Sequence, residues 1–146
     1  MHDSASTAVF NVDASPEGVR DGLQRIRRFL DDSGVHQDMC GTAEIVLAEA
    51  LNNVAEHAYE LRGIGDVIVT LLVEPDGIQI DIVDFGLALP GLDLPRGKRP
   101  SLHHPKGALP EGGFGWFLIR SQTDALRYHR DDGRNHLYMH LTNEAG

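Results

Sequence analysis

Ala48-Glu49-Ala50-Leu51-Asn52-Asn53-Val54-Ala55-Glu56-His57-Ala58-Tyr59 is the stretch from which the rest of the chain is best read. It lies in a predicted helix from about Asp38 to Ala58. At about 100° per residue, Leu47, Ala48, Ala50, Leu51, Val54, Ala55 and Ala58 share one arc. With Glu49 at zero, Asn53 falls at roughly 40° and His57 at roughly 80°, while Asn52 and Glu56 lie just beyond Glu49. The polar arc therefore carries carboxylates, amides and an imidazole, with no Lys or Arg. A solvated helix face more often mixes signs through i,i+4 Glu–Lys pairs. Asparagine in mid-helix is also a small local cost. The stripe Glu49–Asn53–His57 spans about 12 Å, comparable with the phosphate region of a nucleotide. A carboxylate accepts a proton and, one turn away, an amide oxygen ligates a hard cation such as Mg²⁺. On these residues alone, an ordinary polar surface helix explains the pattern equally well.

Working outward, Thr7 to Val12 reads as a first strand. Ser15-Pro16-Glu17 then starts a helix: a capping hydroxyl, proline at the first helical position, and an acid at the positive end of the dipole. Val19, Leu23, Ile26 and Leu30 make its apolar stripe, and Gly34 stops it. Asp66 to Glu74 is β-branched and apolar. Pro75-Asp76-Gly77 has turn chemistry, and from Ile78 to Asp84 the residues alternate, with Ile78, Ile80 and Ile82 on one face. The two runs predict a hairpin. A third helix is expected from the Gly113-Phe114-Gly115-Trp116 stretch to near Thr123. Ala125 to Arg130 and His136 to Thr142 read as a closing hairpin around Asp131-Asp132-Gly133-Arg134-Asn135. The order is strand, helix, helix, strand, strand, loop, helix, strand, strand. It predicts an α/β (α+β) two-layer sandwich, a mixed, mostly antiparallel sheet covered on one face by helices.

Composition narrows the function classes. The chain has 146 residues and a formal net charge of −9, which suits one soluble domain over residues 1–146. Direct nucleic-acid binding is not expected, because phosphate neutralisation needs clustered Lys and Arg. No apolar run is long enough for a membrane span, and Met1 to Thr7 lacks the basic and apolar parts of a secretory signal. One cysteine, Cys40, excludes an internal disulfide. The expected location is cytoplasmic. An acidic protein that handles a nucleotide must hold phosphate with backbone amides and a metal rather than with a basic surface.

Two further stretches offer such devices. Asp84 closes the alternating strand and Phe85-Gly86 follows at once. An acid there accepts a hydrogen bond from an exocyclic amine, and glycine lets a flat ring approach the backbone; Asp-x-Gly is equally a common turn. From Phe85 to Gly112 the sequence is loop-like, with Pro90, Pro95, Pro100 and Pro105 and a basic run at Arg96-Gly97-Lys98-Arg99. A loop of that length in a small domain suggests a lid, placed at about 87–112. Gly112, Gly113 and Gly115 then lead into an apolar helix, directing free amides and a helix N-terminus at one spot, an anion site without basic side chains. It is not a Walker loop, because Gly-Lys-Ser/Thr is missing.

Glu49-x-x-x-Asn53-x-x-x-His57, Asp84-x-Gly86 and Gly112-Gly113-x-Gly115, in this order, resemble the GHKL (histidine-kinase-like) ATPase superfamily. The segments Ala48 to Tyr59 and Gly112 to Arg120 are most similar to its anti-sigma-factor serine/threonine protein kinases, and the Asp124 to Leu141 hairpin matches the usual end of that domain. The resemblance implies ATP and Mg²⁺ as ligands. Asn53 would ligate Mg²⁺, with His57 on the same nucleotide-binding stripe, and Glu49 would be the general base. Asp84 would bond the adenine amine and Gly86 would lie against the ring, while Gly112, Gly113 and Gly115 would close over the phosphates. The strand motif departs from the family at Ala88, where a second glycine is usual. His103-His104 is read as loop composition, and histidine autophosphorylation is not expected without a separate helical domain.

Three functions remain open at this point. The first is an anti-sigma regulatory factor that phosphorylates a serine or threonine of an anti-sigma-factor antagonist and also binds a sigma factor. Homodimerisation is expected from the resemblance alone. The second is a nucleotide-gated module that sequesters a sigma factor or other regulator without significant catalysis. The third is an ATPase serving a multi-subunit machine. Trp116, Met39, Met139 and Cys40 are assigned to packing.

Overall fold

The protein is seen in a computed structural model that describes residues 5–58, 65–95 and 114–142. Strand β1 (Ser6–Asp13) is followed by α1 (Pro16–Asp32) and α2 (Gln37–Asn53), the latter continuing into a π-helical turn over Val54–Ala58. Then come β2 (Asp66–Glu74), β3 (Gly77–Asp84), a short 3₁₀ turn (Pro90–Leu92), α3 (Phe114–Gln122), β4 (Ala125–Asp131) and β5 (Arg134–Thr142). The sheet order is β1-β2-β3-β5-β4. Among the described residues every pairing is antiparallel, so the sheet they form is antiparallel rather than mixed.

Local chemistry starts the helices where expected. The Ser15 hydroxyl accepts from the Gly18 N–H at 2.9 Å, with Pro16 at the first helical position. Gly34, at φ +80°, follows the end of α1. The inward stripe of α1 (Val19, Ile26, Leu30) and the apolar arc of α2 (Val46, Leu47, Ala50, Leu51) are buried against the sheet. Each fully buried Leu or Ile contributes about 1.5–3 kcal/mol relative to exposure. Cys40 and Met139 are fully buried, which accounts for both as packing residues.

Register carries the core to the site. On the helix-covered face, β3 and β5 pair Ile78 with Leu141, Ile80 with Met139 and Ile82 with Leu137. The next pair on that face is Asp84 with Asn135. The period of two therefore ends an apolar ladder in a carboxylate and an amide, both 5% exposed. Sequence reading had placed Asn135 in the closing turn. The turn is shorter than that, because Asp132 (φ 50°) and Gly133 (φ 71°) both take positive φ. Two such residues form the tight hairpin turn that matches strand twist, and Arg134 and Asn135 are thereby returned to the strand.

Candidate functional site

A cavity of about 410 Å³ opens where that ladder ends. α2 and its extension supply Ala50, Asn53 and Val54; the sheet supplies Asp84, Tyr128, Asn135 and Leu137. Leu87, Ala88, Leu89, Pro90 and Pro95 close one side, and Trp116 of α3 another. The lining is mostly apolar with a few polar groups, as in sites that hold a flat heterocycle.

The predicted residues sort clearly. Asn53 and Asp84, 31 positions apart in sequence, line the same cavity. Gly115 belongs to the first turn of α3 and abuts α2 closely: a methyl group on it would lie 2.6 Å from Glu49 Oε1 and 3.7 Å from Asn53 Nδ2. A methyl there would require the Glu49 carboxylate to shift. Glu49 does not itself line the cavity but sits one helical turn before Asn53, beside the N-terminus of α3. Gly86 likewise is not a lining residue. Its N–H donates to Asp84 Oδ1 at 3.0 Å and its carbonyl accepts from Arg130 at 2.9 Å, so the backbone beyond it, at Leu87 to Pro90, forms the wall. Ala88, in the position where the family has glycine, is part of that wall.

Gly112, Gly113, the Arg96–Arg99 basic run and His103-His104 lie outside the described residues, as do the part of the expected lid beyond Pro95 and the side chain of His57. For His57 the backbone alone makes a point. It falls in the π-helical turn, whose i→i+5 bonding has a wider turn than the α-helix, so the 100° step that relates Glu49 to Asn53 no longer applies beyond Asn53.

Electrostatically, burial pushes the Asp84 carboxyl above its ordinary value, while the bonds from Asn135 and from the Gly86 N–H act in the opposite direction. Asn53 Nδ2 is buried and has no hydrogen-bond partner among the described residues. An unpaired buried amide costs about 1–3 kcal/mol, and here it borders the cavity. Its carbonyl oxygen is the hard donor type that Mg²⁺ takes, so this position fits the implied cation. Among the described residues no group of three or more His, Cys, Asp or Glu side chains could hold a metal by itself. No described helix is long and apolar enough to cross a membrane.

Sequence reading missed three residues here. Trp116 was assigned to packing and is indeed buried, but it also lines the cavity. Asn135 and Tyr128 were passed over. The Asp132-Gly133 dipeptide was the signal that would have returned Asn135 to the strand.

Comparison with known proteins agrees with this geometry. The family model for the histidine kinase-like ATPase domain matches residues 12–141. The serine-protein kinase RsbW of Bacillus licheniformis is 32% identical over 101 residues, 68% of this chain and 63% of that protein. RsbW of Bacillus cereus (strain ATCC 10987 / NRS 248) is 29% identical over 91 residues, 62% of this chain and 56% of that one. The matched stretch thus spans 56–63% of the length of these relatives. RsbW of Listeria monocytogenes serotype 4a is 25% identical over 148 residues, 99% of this chain and 90% of that protein. Among solved structures, the RsbU and RsbW domains of Rv1364c from Mycobacterium tuberculosis share the fold. There the TM-score is 0.64 at 14% identity, over 96% of this chain and 34% of that one. With the three motif regions in order and the family match running from β1 to β5, the chain belongs to the histidine kinase-like ATPase domain family.

Proposed function

We propose that the protein is an anti-sigma regulatory factor that acts as an ATP-dependent serine/threonine protein kinase on an anti-sigma-factor antagonist. The observation that carries this reading is the contact of Gly115 with Glu49 and Asn53, which sets a carboxylate, an amide and a helix N-terminus together beside a base-sized cavity. In this reading residues 1–146 are one ATP-binding domain with a lid at about 87–112. Asp84 accepts the adenine amine in the apolar slot beneath Trp116 and Leu137. Gly112, Gly113 and Gly115 offer amides to the phosphates, and His57 belongs to the same nucleotide-binding stripe.

Phosphoryl transfer is mainly positioning and charge stabilisation. Asn53 would hold Mg²⁺, which when bound supplies positive charge at the phosphate oxygens. The partner's hydroxyl attacks the γ-phosphorus as its bond to the bridging oxygen of ADP breaks, and the hydroxyl proton passes to the Glu49 carboxylate. Phosphorylating the antagonist would release the kinase to bind a sigma factor in the cytoplasm, and a homodimer is part of the same reading.

The test is incubation of the pure protein with Mg²⁺, radiolabelled ATP and a serine-bearing antagonist. Label on the antagonist is expected; nucleotide binding without any transfer would end the kinase reading. The second reading, a nucleotide-gated module that sequesters its regulator without catalysis, is favoured by one observation, the Ala88 methyl in the cavity wall. Glu49→Ala separates the two. In a kinase it removes transfer while sparing ATP affinity; in a pure switch control of the partner persists.

A further inference from the structure

The side chain of Asn135 makes every hydrogen bond an asparagine side chain can make. Its Nδ2 donates to Asp84 Oδ1 and to the Leu87 carbonyl, both at 2.8 Å. Its Oδ1 accepts from the Tyr128 hydroxyl at 2.7 Å and from Arg130 Nη1 at 2.9 Å. The orientation of the amide follows from its partners: turned over, it would set oxygen against a carboxylate and a carbonyl, and nitrogen against a guanidinium. A cation on the oxygen and an anion on the nitrogen polarise the amide in the same sense, which strengthens both bonds.

The same cluster grips the chain where the lid begins. Besides holding Asn135, the Tyr128 hydroxyl accepts from the Leu89 N–H at 3.1 Å. Arg130 Nη1 donates also to the Gly86 carbonyl at 2.9 Å. Gly86 N–H, Gly86 C=O, Leu87 C=O and Leu89 N–H are thus all tied to Asp84 or to the β4–β5 hairpin. Both N–H groups of Asn135 are already used, so none is left for a bound base. The bonds to Asp84 from Gly86 and Asn135 both fall on Oδ1, so neither of these two partners occupies Oδ2.

We propose that Tyr128, Asn135 and Arg130 are positioning residues of the nucleotide site: together they fix the Asp84 carboxylate and the root of the lid, and so set discrimination for a purine bearing a 6-amino group. The inference rests on the ATP-binding reading above. It assigns the cluster no contact with the base, so its loss acts through Asp84 and through the segment Gly86–Leu89.

The experiment compares ATP with inosine triphosphate, which carries an oxygen in place of the 6-amino group, by calorimetric titration of wild type, Tyr128→Phe and Arg130→Met. Exchange of the Leu89 amide hydrogen is followed in the nucleotide-free proteins. Tyr128→Phe is expected to weaken ATP about tenfold, as for the loss of one well-made buried hydrogen bond, and inosine triphosphate less than about twofold. Leu89 exchange should speed up about tenfold. Arg130→Met, which leaves the Tyr128 packing intact, should shift both readouts in the same direction. A parallel loss for the two nucleotides, or no loss, with the wild type binding ATP normally, overturns this inference and leaves the ATP reading standing. A wild type that binds neither nucleotide overturns both.

Discussion

The two walls of the cavity are built from similar residue types to opposite ends. On the hairpin wall, Asn135 is 5% exposed and all four of its hydrogen-bonding positions are filled from within the protein. On the α2 wall, the amide nitrogen of Asn53 is equally shut from water and has no partner among the described residues. A buried amide is stabilising when saturated and costly when not. In the proposed reading the saturated wall is frame, and the wall with the unpaired group is where a ligand completes the bonding. On that reading the difference separates residues that touch the nucleotide from those that hold its site.

The largest expected effect lies on the unsaturated wall. Glu49→Ala should lower phosphoryl transfer by about 100- to 10,000-fold, the usual contribution of a general base, while Mg-ATP affinity by calorimetry stays within about threefold. Asn53→Ala should weaken Mg-ATP by about a hundredfold, since in the proposed site the cation loses its amide ligand; an unchanged affinity would erase the distinction between the walls.

Asp84→Asn sharpens the comparison, because Asp84 belongs to both. Its replacement retains an acceptor for Gly86 and Asn135 but can turn a donor toward the adenine amine, and should weaken ATP about thirtyfold. Stability should move the other way. Burial raises the Asp84 carboxyl, so the folded state holds that proton more tightly than the unfolded chain does. The stability it confers is complete below the ordinary carboxylate value and is lost as pH rises through the raised one. Asp84→Asn is therefore expected to melt at or above the wild-type temperature at neutral pH, and the two melting curves to converge in acid. Gly115→Ala should have the smallest effect. The carboxylate that its methyl meets is the end of a flexible side chain, so a fall in transfer of about fivefold with little change in melting is expected.

Much of the frame was legible from local pattern. Ser15-Pro16 started α1, the Asp66–Glu74 run matched β2 residue for residue, and the alternation through Ile82 put Asp84 on the core face. The helix stripe held from Glu49 to Asn53, where bonding is α-helical, and lost its period at Val54, where it becomes π-helical. Asn135 was not legible in the same way. Its meaning lies in a cross-strand register with Asp84, 51 positions earlier, and composition around a turn does not reveal register. Reading five loop residues where the Asp132-Gly133 geometry needs only two in the turn hid it.

Trp116 is the sole tryptophan of the chain, is 7% exposed, and stands in the cavity wall. Its emission during a titration with Mg-ATP therefore reports directly on whether an adenine nucleotide occupies the space between the two walls. The account predicts a saturable change that ADP competes away and that Asn53→Ala largely removes. Emission that stays flat in the wild type, with no heat of binding at the same concentrations, would contradict it.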